Sequence, residues 1–229
     1  MLFRSGEMGL LDGFNDLLFP DEFVCHFCGE KIDNKAKYHL CPLCTDRLLF
    51  LNKVLSVDIP YIDSAAYSLF YSEYTREKVY HYKYYNGSYL YETFGEILWN
   101  TIMERELLDN IDIITYVPIH KKRKAKRGYD QSELLAEYIS RKGNVPLSKG
   151  NLIRHRYTKP QNKLQRSERI KNIIDAFSVK KPNIFYGKEI LLIDDIITTG
   201  GTISECGKVL VNSGAIGVHA LAITSSMKG

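Results

Sequence analysis

The sequence contains no run of eighteen or more apolar residues, no internal repeat and no low-complexity tract. The first absence predicts that no segment spans a membrane, because a spanning helix needs about 20 apolar residues. The first ten residues, MLFRSGEMGL, also lack the apolar core of a secretory signal, so we expect a cytoplasmic protein. Apolar and charged fractions of 45% and 25% are typical of a soluble globular chain, here one domain with a small appendage.

Positive charge is concentrated in one part of the chain. The net charge is +4, but residues 120–171 contain sixteen Lys and Arg against four Asp and Glu, a local net charge of +12. The rest of the chain therefore has a net charge of −8, which is +4 minus +12. This separation favours a polyanionic partner or a highly phosphorylated ligand over the alternative, a solvated basic face.

Apolar periodicity predicts strands that alternate with helices. We expect strands at 65–71, 111–118, 151–155, 189–194 and 217–224, and helices at 75–84, 89–105, 131–141 and 201–212. The basic residues 121–127 are expected to form a loop. Such alternation is typical of an α/β protein with a mostly parallel sheet flanked by helices, which binds ligands at the carboxyl ends of its strands.

The N-terminal part of the chain is expected to form a separate module. An apolar helix face, which we expect to pack on the protein itself, ends at a proline: Leu10, Leu11, Phe14, Leu17, Leu18 and Pro20. A cysteine-rich segment follows, and RLLFLNKVL, residues 47–55, is interpreted as a connector. Pro60 then marks a domain boundary. We therefore divide the chain into residues 1–58, the helix and cysteine module, and residues 59–229.

Four of the five cysteines form two Cys-x-x-Cys pairs, twelve residues apart: Cys25 with Cys28, and Cys41 with Cys44. Two such pairs supply four thiolates, the ligand set of a structural zinc site. Two disulfides are the alternative, which a reducing cytoplasm disfavours. A redox Cys-x-x-Cys would account for one pair only. His26 and His39 lie nearby as substitute ligands, and Cys206 is expected to be a buried apolar side chain.

The segment ILLIDDIITTGGT, residues 190–202, joins an apolar strand to a loop of small residues. Asp194 and Asp195 end the apolar run, where their carboxylates can accept hydrogen bonds from the 2′ and 3′ hydroxyls of a ribose. The loop 198–202 offers backbone N–H groups and threonine hydroxyls before a helix N-terminus, an arrangement that binds phosphate. These features predict a site for a ribose 5-phosphate.

Two other nucleotide-binding motifs resemble parts of this region. LLIDD is similar to a Walker B strand and GGTISECGKV to a Walker A loop. The Walker A reading fails because Thr202 stands where the first Gly is required and Lys208 is followed by Val. An ordinary turn after a buried strand would leave the adjacent acids and the polar loop unexplained.

Basic and aromatic residues occur together in two regions. Residues 121–127 carry six cationic side chains, which would close over pyrophosphate or follow a nucleic-acid backbone, with a solvated loop as the alternative. The second basic stretch, 154–171, contains Tyr157, a combination typical of single-strand binding. The six tyrosines between Tyr80 and Tyr91 are expected to pack in the core rather than stack on bases.

Residues 190–202 resemble the phosphoribosyl pyrophosphate (PRPP) signature of type I phosphoribosyltransferases. The four cysteines and the stretches KVYHYKYYNGSYL, VPIHKKRKAKRGYDQSELLA and PQNKLQRSERIKNIIDAF extend the resemblance to the ComF family of competence-associated phosphoribosyltransferase-like proteins. The resemblance covers nearly the whole chain from Leu17 onward. It implies a type I phosphoribosyltransferase-like domain with a hood at about 59–108, preceded by a small zinc-ribbon-like module that holds structural zinc.

The resemblance also implies roles in PRPP binding. Two acids would hold the ribose hydroxyls, Asp194 and Asp195. Five residues would bind the 5-phosphate: Thr198, Thr199, Gly200, Gly201 and Thr202. Four would lie near pyrophosphate and Mg²⁺: Pro118, Ile119, His120 and Lys121. Lys83 falls in the family-like block HYKYYNG, near the expected hood over the ligand.

Some positions match the family pattern and others depart from it. The matching residues are Arg127, Gly128 and Gln131 in one block and Gln161, Leu164, Arg169 and Asn172 in another. Asp130 stands where Asn is commoner. Thr198 stands where purine-salvage relatives often carry the acid that handles the base proton, which disfavours a purine transferase.

The ComF resemblance implies a role in natural transformation on the cytoplasmic side of the membrane, with helicase or recombination-mediator partners. We predict a DNA-uptake protein that binds PRPP with Mg²⁺ and single-stranded DNA. The expected nucleic-acid-binding residues are Lys121, Lys122, Arg123, Lys124, Lys126, Arg127, Arg154, Arg156, Lys163, Arg166 and Arg169. The alternatives are an active Mg²⁺-dependent phosphoribosyltransferase with an unknown acceptor, and a structural adaptor that docks through the zinc module.

Overall fold

The computed structural model describes residues 23–157 and 173–227. The predicted N-terminal helix around Leu10 lies outside these ranges. The block from Gln161 to Asn172 and three of the predicted nucleic-acid-binding residues, Lys163, Arg166 and Arg169, lie outside them too. Within the described ranges, no helix is both long enough and apolar enough to cross a membrane.

The fold is built on a five-stranded sheet. Its strands are β1 (Phe50–Val54), β2 (Ser64–Phe70), β3 (Ile113–Tyr116), β6 (Glu189–Ile197) and β7 (Gly217–Ser225), and β4 (Leu152–Arg154) and β5 (Phe177–Val179) form a separate antiparallel pair. The order in the main sheet is β1-β2-β7-β6-β3. Strand β1 is antiparallel to β2, and the other three pairings are parallel. The predicted mostly parallel sheet is confirmed.

Six α-helices pack around the sheet in the described ranges: α1 (Pro42–Asp46), α2 (Glu73–Tyr84), α3 (Tyr91–Arg105), α4 (Lys121–Arg127), α5 (Gln131–Gly143) and α6 (Gly201–Val211). Side chains cap three of them at the N-terminus: α2, α4 and α5. Ser72 Oγ accepts a hydrogen bond from Thr75 N at 3.0 Å where α2 begins. Asp130 Oδ1 accepts from the backbone N–H groups of Ser132 and Glu133 where α5 begins. Such caps satisfy N–H groups that have no partner within the helix.

The two faces of β6 explain the layers of the fold. Because side chains alternate along a strand, Leu191 and Ile193 point to one face and Ile190 and Leu192 to the other. The first pair packs in a buried cluster with α2, α3, α5 and the cysteine module. The second pair packs with α6 and the β4–β5 pair. Helices on both sides therefore account for the continuous apolar run of this strand.

The predicted connector at 47–55 is wrong. It contains β1, whose Val54 pairs with Ala66 of β2 at the edge of the sheet. The predicted strand at 151–155 forms as β4, but it pairs with β5 rather than with the main sheet. The division of the chain near residue 58 stays a prediction, and β1 joins the sheet from the N-terminal side of that division.

The predicted loop at 121–127 is also wrong, because these residues form helix α4. Lys, Arg and Ala all have high helix propensity. His120 Nδ1 accepts a hydrogen bond from Lys122 N at 3.2 Å at the start of the helix. Gly128 ends it with φ of 89°, a left-handed conformation that favours glycine. Propensity and two end caps therefore outweigh the repulsion among six cationic side chains.

Candidate functional site

A cavity of about 610 Å³ lies at the carboxyl end of the parallel strands. Its lining residues come from β4 and β6, from the segments after β2 and β3, and from α2, α4, α5 and the start of α6. This is the edge at which parallel α/β sheets bind ligands. The cavity is therefore the candidate site, and it lies where the sequence predicted one.

The acid pair lines the cavity at the point where β6 stops pairing with β3. Ile193 pairs with Tyr116, the last register pair between β6 and β3, whereas β6 continues along β7 to Ile197. The apolar run suggested that Asp194 and Asp195 lie at the end of the strand. The structure instead places both residues within it. The edge of β6 on the β3 side is nevertheless free beyond this point, which gives the carboxylates access to the cavity.

Residues from two helices hold the acid pair. Lys83 Nζ of α2 lies 2.8 Å from Asp195 Oδ2, and Gln131 Nε2 of α5 donates to the same oxygen at 2.9 Å. Asp194 Oδ1 accepts from Asp195 N–H at 2.8 Å and from Ser132 Oγ at 3.3 Å. The family-like motif around Lys83 identified this residue from the sequence, whereas nothing in the sequence singled out Ser132.

Burial raises the pKa of Asp194 well above its usual value, and the negative charge of Asp195 adds to this effect. Lys83 lowers the pKa of the same carboxyl. Two adjacent buried carboxylates repel each other, and one lysine does not balance both of them. The pair is therefore suited to a ligand that brings hydroxyl donors or a cation.

The loop 198–202 forms the turn from β6 into α6, and its end residues Thr198 and Thr202 line the cavity. Gly200 has φ of 74°, and a Cβ at this position would lie 3.2 Å from the Ile59 side chain. Glycine therefore fits this turn without strain where other residues do not. Helix α6 begins at this turn, so the positive end of its dipole lies there.

The segment after β3 is brought to the cavity only in part. Pro118 and Ile119 line it, whereas His120 and Lys121 begin α4 and are not among the lining residues. The buried His120 ring meets the Tyr157 ring edge-on, with centroids 5.2 Å apart. Burial lowers the pKa of His120, and the neighbouring cationic side chains lower it further.

Asp130 fastens the segment after β3 to the start of α5. Its Oδ2 accepts a hydrogen bond from Ile119 N at 2.9 Å, while its Oδ1 caps α5. An Asn here would present an NH₂ group to one of these donors, so a carboxylate suits this chain better. Burial raises the pKa of Asp130 to about 6, although the Ile119 N–H acts to lower it.

This raised pKa gives a stability that depends on pH. Asp130 binds its proton more tightly in the folded chain, so its contribution is full below pH 3.8 and is lost as the pH rises to about 6. That difference in pKa corresponds to about 3 kcal/mol. Relative to the variant Asp130→Asn, the wild-type free energy of unfolding is expected to fall by this amount between about pH 4 and pH 7. Urea denaturation at several pH values measures it, and parallel profiles for the two proteins would contradict the assignment.

Four arginines line the cavity: Arg76 of α2, Arg123 and Arg127 of α4, and Arg154 of β4. The sequence assigned the last three to nucleic acid, but the structure places them at the cavity. Burial lowers the pKa of the half-buried Arg154 to about 10, and the charge of Arg123 adds to this. The cationic cluster is therefore suited to pyrophosphate or phosphate.

Two buried polar atoms at the cavity have no hydrogen-bond partner among the described residues. They are Arg127 Nη1, a donor, and Gln131 Oε1, an acceptor. An unpaired buried polar group costs about 1–3 kcal/mol. Because both side chains line the cavity, a polar ligand there can pair with both atoms. The residues present therefore fit a phosphorylated, hydroxyl-bearing ligand.

The lysines of α4 lie on its exposed face, away from the cavity lining: Lys121, Lys122, Lys124 and Lys126. Lys124 forms an ion pair with Glu133, and Lys122 Nζ lies 5.9 Å from the centroid of the exposed Tyr157 ring. The exposed Arg156 donates from Nη2 to Ile174 O at 2.7 Å. Those predicted nucleic-acid residues that the structure describes thus divide into three cavity arginines and an exposed group of four lysines and Arg156.

The expectation that the tyrosines of residues 80–91 pack in the core is wrong for four of them. Tyr82 is fully buried, but four others are exposed: Tyr80, Tyr84, Tyr85 and Tyr89. The rings of Tyr80 and Tyr84 lie 4.6 Å apart, and the Arg127 guanidinium lies 5.0 Å from the Tyr84 centroid. Tyr80 and Tyr84 are one helical turn apart on the face of α2 opposite the buried Val79. They form an exposed aromatic surface at the mouth of the cavity, which both of them line.

The four cysteines of the N-terminal module lie together. Their Sγ atoms are within 4.8 Å of one another, and those of Cys28 and Cys41 are 3.7 Å apart. A tetrahedral zinc ion with Zn–S distances of about 2.3 Å requires sulfurs about 3.8 Å apart. No disulfide forms between these cysteines, and Cys206 is also free and is buried as expected. The donor set therefore fits zinc.

The cysteine module packs against helices α2 and α3. The Phe27 ring lies 6.0 Å from that of Tyr74 and 5.9 Å from that of Phe94. The Arg47 guanidinium lies 3.9 Å from the Tyr74 centroid. Cys25 and Cys44 belong to the same buried cluster as these helices. The module is therefore continuous with the core of the fold.

Fold and site together define an α/β protein with a polar cavity at the carboxyl edge of a mostly parallel sheet. No family model matches the chain. The chain is 26% identical over 208 residues to competence protein ComFC of Bacillus subtilis, covering 86% of this chain and 82% of that protein. It is 29% identical over 133 residues to competence protein F of Haemophilus influenzae, covering 56% of this chain and 58% of that protein. It is 30% identical over 116 residues to DNA utilization protein YhgH of Escherichia coli K12, covering 51% of this chain and 50% of that protein.

These relatives confirm the predicted resemblance to the ComF family. The chain spans most of the Bacillus subtilis protein and about half the length of the other two. Their names link the relatives to competence and to DNA utilization.

Solved structures to which the chain is similar include two proteins whose names contain phosphoribosylpyrophosphate. One is glutamine PRPP amidotransferase from Bacillus subtilis, at 22% identity and a TM-score of 0.38, covering 56% of this chain and 25% of that one. The other is phosphoribosylpyrophosphate synthetase from Mycobacterium smegmatis, at 19% identity and a TM-score of 0.35. The match covers 58% of this chain and 33% of that one. The strand order and the pairings given above define the fold.

Proposed function

We propose that the chain is a DNA-uptake protein that binds PRPP in its cavity and single-stranded DNA on its exposed basic and aromatic surface. The acid pair carries the PRPP part of the proposal. Asp194 and Asp195 lie side by side at the cavity, and hydrogen bonds and Lys83 fix their orientation. Adjacent carboxylates in this position suit the two ribose hydroxyls. The names of the relatives support the DNA-uptake part.

PRPP would lie across the cavity, with its phosphates at opposite sides. The 5-phosphate would meet the loop 198–202 at the start of α6, where backbone N–H groups and threonine hydroxyls are close together. The pyrophosphate would meet Arg123, Arg127 and Arg154. The unpaired Arg127 Nη1 and Gln131 Oε1 support a ligand that has both acceptors and hydroxyl donors.

Magnesium would enter with PRPP. Carboxylate and phosphate oxygens are the hard ligands that Mg²⁺ prefers, and the acid pair offers them beside the pyrophosphate region. When bound, the ion would neutralise charge on the pyrophosphate. The raised pKa of Asp194 supports a cation at this point, because positive charge there relieves the repulsion between the two acids.

Single-stranded DNA would follow the exposed lysines of α4, with bases stacked on tyrosines. Base stacking on an aromatic ring contributes about 1–3 kcal/mol per base. Tyr84 and Tyr85 are 50% and 59% exposed, and the Arg127 guanidinium lies over the Tyr84 ring. Charge and aromatic rings therefore occur together on one side of the molecule.

Charge reversal on α4 tests the DNA surface. Replacing both Lys122 and Lys126 by Glu is expected to weaken binding of an oligothymidine and to reduce its salt dependence. The slope of log K against log salt is expected to fall by about 1.4, or about 0.7 for each lost phosphate contact. Fluorescence anisotropy at several salt concentrations measures both quantities. Replacing Lys180 and Lys181 by Glu, at exposed positions outside α4, makes the same change in charge as a control. Equal affinity and equal slope for the double variant and the wild type would rule out this surface.

We further propose that the cysteine module holds one structural zinc ion through Cys25, Cys28, Cys41 and Cys44. The module would provide a surface for competence helicase or recombination-mediator proteins. The cytoplasm, with a peripheral position at the cytoplasmic face of the membrane, is the proposed location. Reducing conditions there would keep the four thiols available for metal.

An active phosphoribosyltransferase is the second candidate function. Glu73 and Glu77 of α2 line the cavity, so two carboxylates lie near the acceptor side although Thr198 replaces the usual acid. A hydrogen bond from Lys78 lowers the pKa of Glu77, so this carboxylate is ionised at neutral pH but is a weak base. Release of pyrophosphate in the presence of PRPP, Mg²⁺ and a panel of acceptors tests this function. Tight PRPP binding with no turnover across the panel would favour the ligand-binding role alone.

A further inference from the structure

A second cluster of metal-ligand side chains lies next to the cysteine module. His26 and His39 belong to the module and Glu92 to the first turn of α3. Each offers one ligand atom within 4.8 Å of those of the other two, and all three are half-buried. We propose that these three residues bind a divalent transition-metal ion such as Zn²⁺, separately from the four cysteines and from the PRPP cavity.

The hydrogen bonds around His26 fix its tautomer. The buried Thr93 hydroxyl donates its one proton to Tyr38 O at 2.8 Å. It must therefore accept in its second contact, which is with His26 Nδ1 at 2.9 Å. Nδ1 carries the hydrogen, and the lone pair of Nε2 is left for another partner. A ring nitrogen held in this way by a buried acceptor is typical of metal-binding histidines.

The other two ligands are also held in place. Tyr91 Oη donates to Glu92 Oε1 at 3.1 Å, so one carboxylate oxygen is fixed and the other can bind a metal. The His39 ring lies nearly parallel to that of His26, with centroids 5.0 Å apart and planes at 12°. Tyr38 and His39 have φ of 60° and 56°, left-handed values that non-glycine residues seldom adopt. Such backbone strain is commonest at functional sites.

The spacing is close to that of a bound ion. With Zn–N and Zn–O distances of about 2.1 Å, tetrahedral ligand atoms lie roughly 3.4 Å apart. Atoms now within 4.8 Å of one another reach that spacing when the side chains rotate, and the two nearly parallel imidazole rings must turn so that both ring planes contain the ion. Two histidines and one glutamate leave the fourth position to water, as in zinc sites that exchange their metal or bind a further ligand. Imidazole and carboxylate suit Zn²⁺, Co²⁺ or Ni²⁺ better than Mg²⁺.

The position of the cluster means that a bound ion would stabilise the contact between the cysteine module and helix α3. It joins two residues of the cysteine module to helix α3, beside the contact between Phe27 and Phe94. A bound ion would therefore tie the module to the hood at a second point. Loss of the ion would loosen this contact without removing the metal of the four cysteines.

Metal titration of the full-length protein tests the proposal. The apo protein, prepared with chelator under reducing conditions, is titrated with Co²⁺ and followed by absorption and by metal analysis. Two equivalents of Co²⁺ per chain are expected to bind. The first gives a thiolate-to-cobalt charge-transfer band, and the second adds d–d absorption without more of that band. His39→Ala and Glu92→Gln are each expected to remove the second equivalent and keep the first. The control His81→Ala, an exposed histidine of α2, is expected to bind two.

Thr93→Val tests the orientation of His26 separately. It removes the hydroxyl that accepts from Nδ1, and the second dissociation constant is expected to rise about 10- to 100-fold. Binding of one equivalent only by the wild type would overturn the proposal. Retention of two equivalents by both His39→Ala and Glu92→Gln would overturn it as well. Circular dichroism of each variant shows that it is folded, and Glu92→Gln keeps the side-chain size if His39→Ala does not fold.

Discussion

Replacement of Lys83 by Met is expected to lower the free energy of unfolding by about 3 kcal/mol, as is typical when one partner of a buried ion pair is removed. Lys83 Nζ lies 2.8 Å from Asp195 Oδ2, and both side chains are largely buried, with exposures of 21% and 9%. Without the lysine, the buried Asp195 loses its ion-pair partner beside the adjacent buried Asp194. Urea denaturation at neutral pH measures the loss.

A second substitution separates the charge from the loss of packing. Adding Asp195→Asn to Lys83→Met removes the uncompensated charge and is expected to recover most of the lost stability. Lys188→Met serves as a matched control, since Lys188 pairs with Asp112 at 3.5 Å and both are partly exposed. Its effect is expected to stay within about 1 kcal/mol. The same loss in the single and double Lys83 variants would contradict a charge-balancing role for this lysine.

Removal of metal from the four cysteines is expected to lower the thermal unfolding midpoint by roughly 10–20 °C. Structural zinc contributes its binding energy to folding, and each kcal/mol corresponds to about 2–4 °C in a chain of this size. Cys25, Cys41 and Cys44 are buried in the same cluster as Phe94 and Tyr82, so the loss would reach the core beneath α2 and α3. Differential scanning calorimetry with and without chelator measures the change.

The identity of the metal provides the control. Zn²⁺ is expected to restore the midpoint after chelation, and Mg²⁺ is not, because thiolates bind soft and borderline ions. Cys28→Ser is expected to behave like the chelated protein, since it replaces a thiolate ligand at an exposed position. An unchanged midpoint in protein that metal analysis shows to be zinc-free would count against a structural role.

The parts of the site that the sequence predicted are those whose chemistry lies in contiguous residues. The acid pair and the following glycine loop form one segment, and each cysteine pair forms a short motif. Their local spacing already determines which groups meet. The apolar run of β6 likewise predicted a strand covered on both faces.

The parts that the sequence missed depend on contacts between distant segments. Ser132 reaches Asp194 only because α5 packs beside β6, and the same packing brings Gln131, which the sequence matched to the family pattern, to Asp195. The division of α4 into cavity arginines and exposed lysines depends on the helix forming, where a loop was expected. The exposure of Tyr80 and Tyr84 depends on which face of α2 meets the sheet. Tertiary packing decides each of these, and a single sequence does not encode it locally.

The most direct test of the central claim is calorimetry of PRPP binding, with and without Mg²⁺, on the wild type and on the double variant Asp194→Asn with Asp195→Asn. The wild type is expected to bind one PRPP per chain, more tightly with Mg²⁺. The double variant is expected to lose at least about 100-fold in affinity, because hydrogen bonds to charged groups contribute about 1.5–3 kcal/mol each. Equal affinity of the two proteins for PRPP would contradict the assignment of this cavity.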